Sequence, residues 1–299
     1  MASTIGVVLT TSIAAGLVHG HEIVGALRHY PEDTEETGGL IDLPTDSLCH
    51  AICDQVVSLG KSADALEAVG IALPGIIRNG IVEDSPNLAQ LKGAHIRDAV
   101  TVALKDRGID TAVSVFNDAD AVAAGIAATR GQLDRVVRVW TLGNGIGFGR
   151  YPDTDAPWEG GHTVVTLDPK ETFCGCGGVG HLEGIMGNRA MRLRFLDLEP
   201  EEVFAQAKQG DQRCLDFVKR WHRALAAATA NSIHMDGPGR FYFTGINTRF
   251  LDVNRLKEYL WEQVKMSPLQ SYSLEVIAQT SELSVIGAAA AAALAGKDC

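Results

Sequence analysis

Apolar runs at residues 5–9, 13–18 and 22–28 are β-prone and are parted by short polar or glycine-containing breaks, a spacing that predicts an antiparallel meander. The period then changes. Leu48, Ile52, Val56 and Leu59 recur at helical spacing behind Asp46, a residue type that caps helix N-termini, and Gly60 supplies a stop. A buried strand over 68–73 ends at Pro74-Gly75, and a helix follows over 96–105. Residues 113–116 read as another strand, and 119–129 as an alanine-rich helix directly behind Asn117-Asp118. A second apolar hairpin, 136–142 and 146–151, turns through Gly143-Asn144-Gly145 and repeats the opening one, which points to an internal duplication. Helices at 215–233 and 251–264 then alternate with strands at 241–244 and 274–278 before a closing alanine-rich helix. Alternating strands and helices predict an α/β protein.

Composition narrows the class. A chain of 299 residues with 46% hydrophobic content has length for two lobes and material to fill their cores. No low-complexity linker divides it, so the predicted division is a small N-terminal α/β domain at 1–116, a larger one at 117–284, and a terminal helix at 285–299 returning to the first. A formal net charge of -11 argues against a broad nucleic-acid or anionic-membrane surface, which needs clustered Lys and Arg. Cys49, Cys53, Cys214 and Cys299 are dispersed and read as reduced thiols rather than a disulfide framework, which predicts a cytoplasmic protein. The first apolar run is broken by Thr10, Thr11 and Ser12 and lacks a basic leader, unlike a signal peptide, and the alanine-rich tail is too short to span a membrane.

The sharpest chemical signal is Cys174-Gly-Cys176-Gly-Gly-Val-Gly-His181 with His162 upstream. Two thiolates and two imidazoles match a tetrahedral zinc site, and the interleaved glycines let a tight loop fold its side chains onto one point. Four protein ligands close the site, so the metal is structural. The plain alternative is two free thiols in a glycine-rich turn beside unrelated histidines.

Several stretches, in order along the chain, carry a resemblance: Gly70-Ile-Ala-Leu-Pro-Gly75 with Ser85-Pro-Asn-Leu88, then Asn117-Asp118-Ala-Asp-Ala121, then Leu142-Gly-Asn-Gly-Ile-Gly147, then Glu159-Gly-Gly-His162, and the cysteine loop ending Leu182-Glu183. Together they resemble the ROK family of sugar kinases and repressors, in its glucokinase-like branch, with weaker support from Phe243-Thr-Gly245 and from residues 284–290. The resemblance implies an actin-like (ribonuclease H-like) two-lobed fold that binds a sugar and ATP with Mg2+, commonly as a homodimer or homotetramer. It places Asp118 as the base that takes a proton from the substrate hydroxyl as that oxygen attacks phosphorus. The residue type allows a second reading, a helix cap, since a helix follows at once. Gly75, Asn87, Asn117, Asp118, Glu159, His162 and Glu183 fall at substrate positions and describe a pocket for a polyol. Gly143, Asn144, Gly145 and Gly245 fall on the nucleotide side. His162, as a zinc ligand through one ring nitrogen, would turn the other towards substrate.

Two departures stand out. Relatives usually carry a third cysteine where this chain has His181, though two cysteines with two histidines remain an acceptable zinc set. More seriously, the family's first phosphate loop, Asp-x-Gly-Gly-Thr, is replaced by Gly6-Val-Val-Leu-Thr-Thr-Ser-Ile13 in a turn one residue shorter. Thr10, Thr11 and Ser12 are left either to bond phosphate through hydroxyls or to serve as plain turn residues. Two functions follow: an ATP-dependent kinase for a hydroxyl of a sugar, aminosugar or sugar-like cyclitol, or a catalytically silent sugar-binding or regulatory protein. The repressor branch fits poorly, because the first strand starts at Ile5 and the charge is wrong for DNA.

Overall fold

The computed structural model describes residues 3–32, 39–63, 65–152, 158–278 and 280–296. It divides into two compact units, Met1–Val137 with Gly149–Pro157 and Thr280–Cys299, and Arg138–Phe148 with Trp158–Gln279.

The first unit opens with the predicted meander, β1 (Ser3–Leu9), β2 (Ile13–His19) and β3 (Glu22–Tyr30), followed by α1 (Thr45–Gly60) and β4 (Leu66–Leu73). A small hairpin, β5 (Ile76–Arg78) and β6 (Ile81–Asp84), precedes α2 (Ile96–Lys105), β7 (Ala112–Asn117) and α3 (Asp118–Thr129). The sheet order is β3-β2-β1-β4-β7, antiparallel through the meander and parallel from β1 to β4 and β7. Every residue of β1 is buried, which is why it reads as a continuous apolar run rather than an alternating one. Ile5, Val7 and Leu9 pack with Ile52, Val56, Val100 and Leu104 of α1 and α2. One sequence expectation needs correcting: Asp46 does not cap α1. Pro44 occupies the cap position, and Asp46 lies inside the first turn, where its charge suits the helix dipole.

The second unit carries most of β8 (Val137–Leu142) and the start of β9 (Ile146–Tyr151), then α4 (Glu183–Met186), α5 (Asn188–Arg194), α6 (Pro200–Lys208) and α7 (Gln212–Asp236). Next come β10 (Arg240–Thr244), α8 (Val253–Gln263) and β11 (Ser273–Val276). Its sheet order is β11-β10-β8-β9, so β9-β8-β10-β11 repeats β2-β1-β4-β7 of the first unit, with β10 and β11 parallel as β4 and β7 are. The duplication extends to the hairpin turns. Thr10 N–H donates to Ser12 O at 2.9 Å, and Gly143 N–H donates to Gly145 O at 3.1 Å. Trp140, Trp221, Phe241 and Phe243 fill the core. Buried Arg138 donates to the carbonyls of Gly237 and Asp236 at 2.9 and 3.0 Å and so closes the C-terminal end of α7. Buried His222 is a satisfied core residue, bonded to Val218 O at 2.8 Å through Nδ1 and accepting Asp252 N–H at 2.9 Å on Nε2.

The closing helix, α9 (Ser281–Ala295), returns to the first unit and packs on β1, β4 and α3. Glycines make this approach possible. A Cβ at Gly6 or Gly70 would lie 1.9 Å from the carbonyl oxygen of Val285 or Ala288, and one at Gly287 would lie 1.7 Å from that of Ala121. Gly287→Ala is therefore expected to lower unfolding free energy by roughly 1–3 kcal/mol through overpacking. At an uncrowded helix position the same change would gain up to about 1 kcal/mol. Urea unfolding checks the sign, and a variant as stable as the wild type contradicts this packing.

Candidate active site and metal centre

In the first unit the residues of interest gather where β7 runs into α3. Asn117, with extended backbone, is the helix cap: its Oδ1 accepts the N–H groups of Ala119 and Asp120 at 2.8 and 3.4 Å. Its Nδ2 donates to Gly75 O at 2.9 Å, so one side chain ties the loop after β4 to the start of α3. Gly75 has φ +134° and sits where a Cβ would come within 2.3 Å of Asp84 O, which only glycine tolerates. Because Asn117 caps the helix, Asp118 becomes its first residue. Its Oδ1 accepts Ala119 N–H at 3.0 Å. Burial pushes the carboxyl above the usual carboxylate range, against the lowering effect of that N–H. A carboxylate with raised proton affinity is better suited to accepting a proton from an alcohol. Asn87 is exposed in the loop after β6. Asp120, unremarked in the sequence, accepts Arg150 N–H at 2.8 Å and so holds the end of β9 against the first turn of α3.

In the second unit, His162, Cys174, Cys176 and His181 each present a ligand atom, all within 4.8 Å of one another. Cys174 Sγ lies 3.4 Å from both His162 Nδ1 and Cys176 Sγ, and Cys176 Sγ lies 3.2 Å from His181 Nδ1. A tetrahedron with the usual Zn–S and Zn–N bond lengths has edges of about 3.3–3.8 Å. The donor set suits zinc, and the three contacts at 3.2–3.4 Å lie close to those edges. Without a metal, burial foremost pushes the Cys174 thiol up to about 12. The loop is shaped for His181: it pairs with Val164 in a β-bridge, and a Cβ at Gly178 would lie 2.0 Å from its ring. His162 Nε2, the nitrogen away from the cysteines, lies 3.6 Å from Glu159 Oε2. Glu183 connects the metal loop to the second hairpin turn: one oxygen is 3.7 Å from Cys174 Sγ, and the other accepts Ile146 N–H at 3.1 Å.

The metal loop has an anchor that sequence reasoning missed. Glu171, 4% exposed, is gripped by Arg194, whose Nη1 donates at 3.2 Å, and by Arg220, and Arg194 also donates to Gly184 O at 3.3 Å. Thr10 and Thr11 are exposed and Ser12 half-buried in the first turn. In the second turn Asn144 and Gly145 are exposed. Gly245, at φ +97°, sits so close to β8 that a Cβ would lie 2.4 Å from Leu142 O. Asn188 and Asn247, which back this turn, also went unnoticed in the sequence.

A sequence model of the ROK family matches residues 12–295. The chain is 28% identical to a glucokinase of Thermotoga maritima across 93% of each protein. It is 30% identical to a glucokinase of Pyrobaculum calidifontis over 58% of this chain, a match that spans only 60% of that relative. Among solved structures, a ROK hexokinase from Thermus thermophilus superposes with TM-score 0.77 at 24% identity, covering 99% of this chain and 100% of that one. A ROK family transcriptional regulator superposes with TM-score 0.74 at 20% identity, over 99% of this chain and 78% of that one. At such identities the structural likenesses establish a shared actin-like α/β fold.

Proposed function

The chain belongs to the ROK family, and on that footing we propose that it transfers a phosphoryl group from ATP to a hydroxyl of a sugar, aminosugar or sugar-like cyclitol. One observation carries this reading: Asp118 stands at the first turn of α3 with its carboxyl pushed up by burial, behind an Asn117 fixed at both ends of its amide. In that setting the carboxylate takes the hydroxyl proton while the oxygen attacks the terminal phosphorus. In the first unit Gly75, Asn87 and Asn117, and in the second Glu159, His162 and Glu183, are the candidates for recognising ring hydroxyls. Such groups reject analogues lacking a hydroxyl, because an unpaired buried partner is costly.

Zinc, held by His162, Cys174, Cys176 and His181, supplies a structural brace that fixes the His162 ring beside Glu159. Magnesium is different. The first turn offers hydroxyls from Thr10, Thr11 and Ser12 but no carboxylate, so it does not fit the family's metal-organising pattern. Gly143, Asn144, Gly145 and Gly245 supply close backbone approach for the nucleotide. The protein acts in the cytoplasm as a homodimer or homotetramer, without nucleic-acid or membrane partners; among the described residues no helix is long and apolar enough to cross a membrane.

The altered first turn favours a second reading, a sugar-binding protein that no longer uses ATP. A coupled ADP-release assay over hexoses, aminosugars and cyclitols separates the two. Sugar-dependent ADP formation is expected; thermal stabilisation by sugar with no ADP formed at any substrate supports the silent binder and overturns the kinase.

A further inference from the structure

Three asparagines from three separate elements meet at the second hairpin turn. Gly143 O accepts Asn247 Nδ2 at 3.1 Å and the Asn188 backbone N–H at 3.2 Å. Asn247 Nδ2 also donates to Asn188 Oδ1 at 2.7 Å, and Asn188 Nδ2 donates to Asn144 Oδ1 at 3.4 Å. The order of donors and acceptors is forced. A backbone carbonyl can only accept, so Asn247 must present its NH2 to Gly143; its second hydrogen then needs the oxygen of Asn188, whose NH2 is left facing the oxygen of Asn144. Asn247 is fully buried and Asn188 is 3% exposed. The cost of this arrangement is visible, since Asn247 Oδ1 is buried with no hydrogen bond among the described residues. An apolar side chain at 247 would in turn leave the buried Asn188 Oδ1 without its donor. What the ladder does provide is a fixed Gly143 carbonyl and a fixed Asn144 side chain. Among the described residues the backbone N–H groups of Asn144 and Gly145 have no acceptor, and successive free amides in a turn form a concavity for an anion.

We propose that Asn188 and Asn247 are positioning residues for the nucleotide phosphates: through Gly143 and Asn144 they hold the amides of the second turn in the arrangement a phosphate requires. The inference rests on the phosphotransfer reading and adds to it a preset pair of backbone donors in the second turn. A preset donor pair needs no reorganisation when charge arrives.

The test is calorimetric titration of the full-length protein with ADP, with a non-transferable ATP analogue and with adenosine, for wild type, Asn247→Leu and Asn144→Ala. Losing one set donor geometry should weaken ADP and the ATP analogue about tenfold in Asn247→Leu and a few-fold in Asn144→Ala. Adenosine affinity and sugar affinity should stay at wild-type values, a pattern that a merely structural role does not give. Should Asn247→Leu fail to fold, Asn144→Ala, an exposed position, decides. Unchanged ADP binding in the folded variants, or an equal loss for adenosine, overturns the inference while leaving the kinase reading intact. A wild-type protein that binds no adenine nucleotide overturns both, and is recognised by its own blank titration.

Discussion

Asp118→Asn is expected to lower kcat by roughly 10²- to 10⁴-fold, the contribution of a general base, with little change in KM for the sugar. The amide keeps the Oδ1 that accepts Ala119 N–H, so the helix start survives while the proton acceptor is lost. The pH dependence follows from the raised carboxyl. The charged, proton-accepting form is complete only above the elevated folded-state value and disappears as pH falls through it. The acid limb of kcat/KM is therefore expected at higher pH than an ordinary carboxylate would give. Stability moves the opposite way: a carboxyl that binds its proton more tightly when folded costs stability as pH rises from the unfolded value through the folded one. Asp118→Asn should accordingly raise Tm at neutral pH, with the gain shrinking in acid. Steady-state kinetics and thermal unfolding across pH check both limbs. A variant that keeps most of its kcat contradicts the assignment.

Metal removal is the second large effect. Zinc sites of this kind contribute on the order of 10 kcal/mol to folding small zinc-finger peptides, but here the loop is also held by Glu171 between Arg194 and Arg220, so the loss is expected to stay local. Cys174 is the ligand to change, because it lies closest to both His162 and Cys176 and is buried. Cys174→Ser should leave the protein folded, strip the zinc found in wild type, and weaken sugar binding roughly 10- to 100-fold by freeing the His162 ring. Metal analysis beside sugar titration reads both. Equal zinc in the two proteins removes the ligand set; normal sugar affinity in a zinc-free variant removes the brace.

Much of this was legible from the chain because its signals are local. The strands of both hairpins announce themselves as short apolar runs, and the repeated hairpin gives away the duplication before any contact is known. The Cys-x-Cys loop and Asn117-Asp118 are likewise contiguous. What stayed hidden is defined by contacts between residues far apart in sequence. Arg220 meets Glu171 across 49 positions and Asn247 meets Gly143 across 104, and neither pair has a spacing that a helix or strand period would reveal. The caps show a subtler limit. Asp46 has the composition of a cap, yet Pro44 starts α1 and Thr45 spends its hydroxyl on Gln90 O at 2.8 Å; at α3, the same reasoning points to Asp118 when Asn117 does the capping. That displacement leaves Asp118 as the first residue of α3 rather than its cap.

The most direct measurement is mass spectrometry of the sugar after a single turnover with ATP, using wild type and Asp118→Asn side by side. A phosphorylated sugar formed by the wild type and absent from the variant is the predicted result. Sugar recovered unmodified from the wild type, across every hexose, aminosugar and cyclitol that binds, would contradict the account.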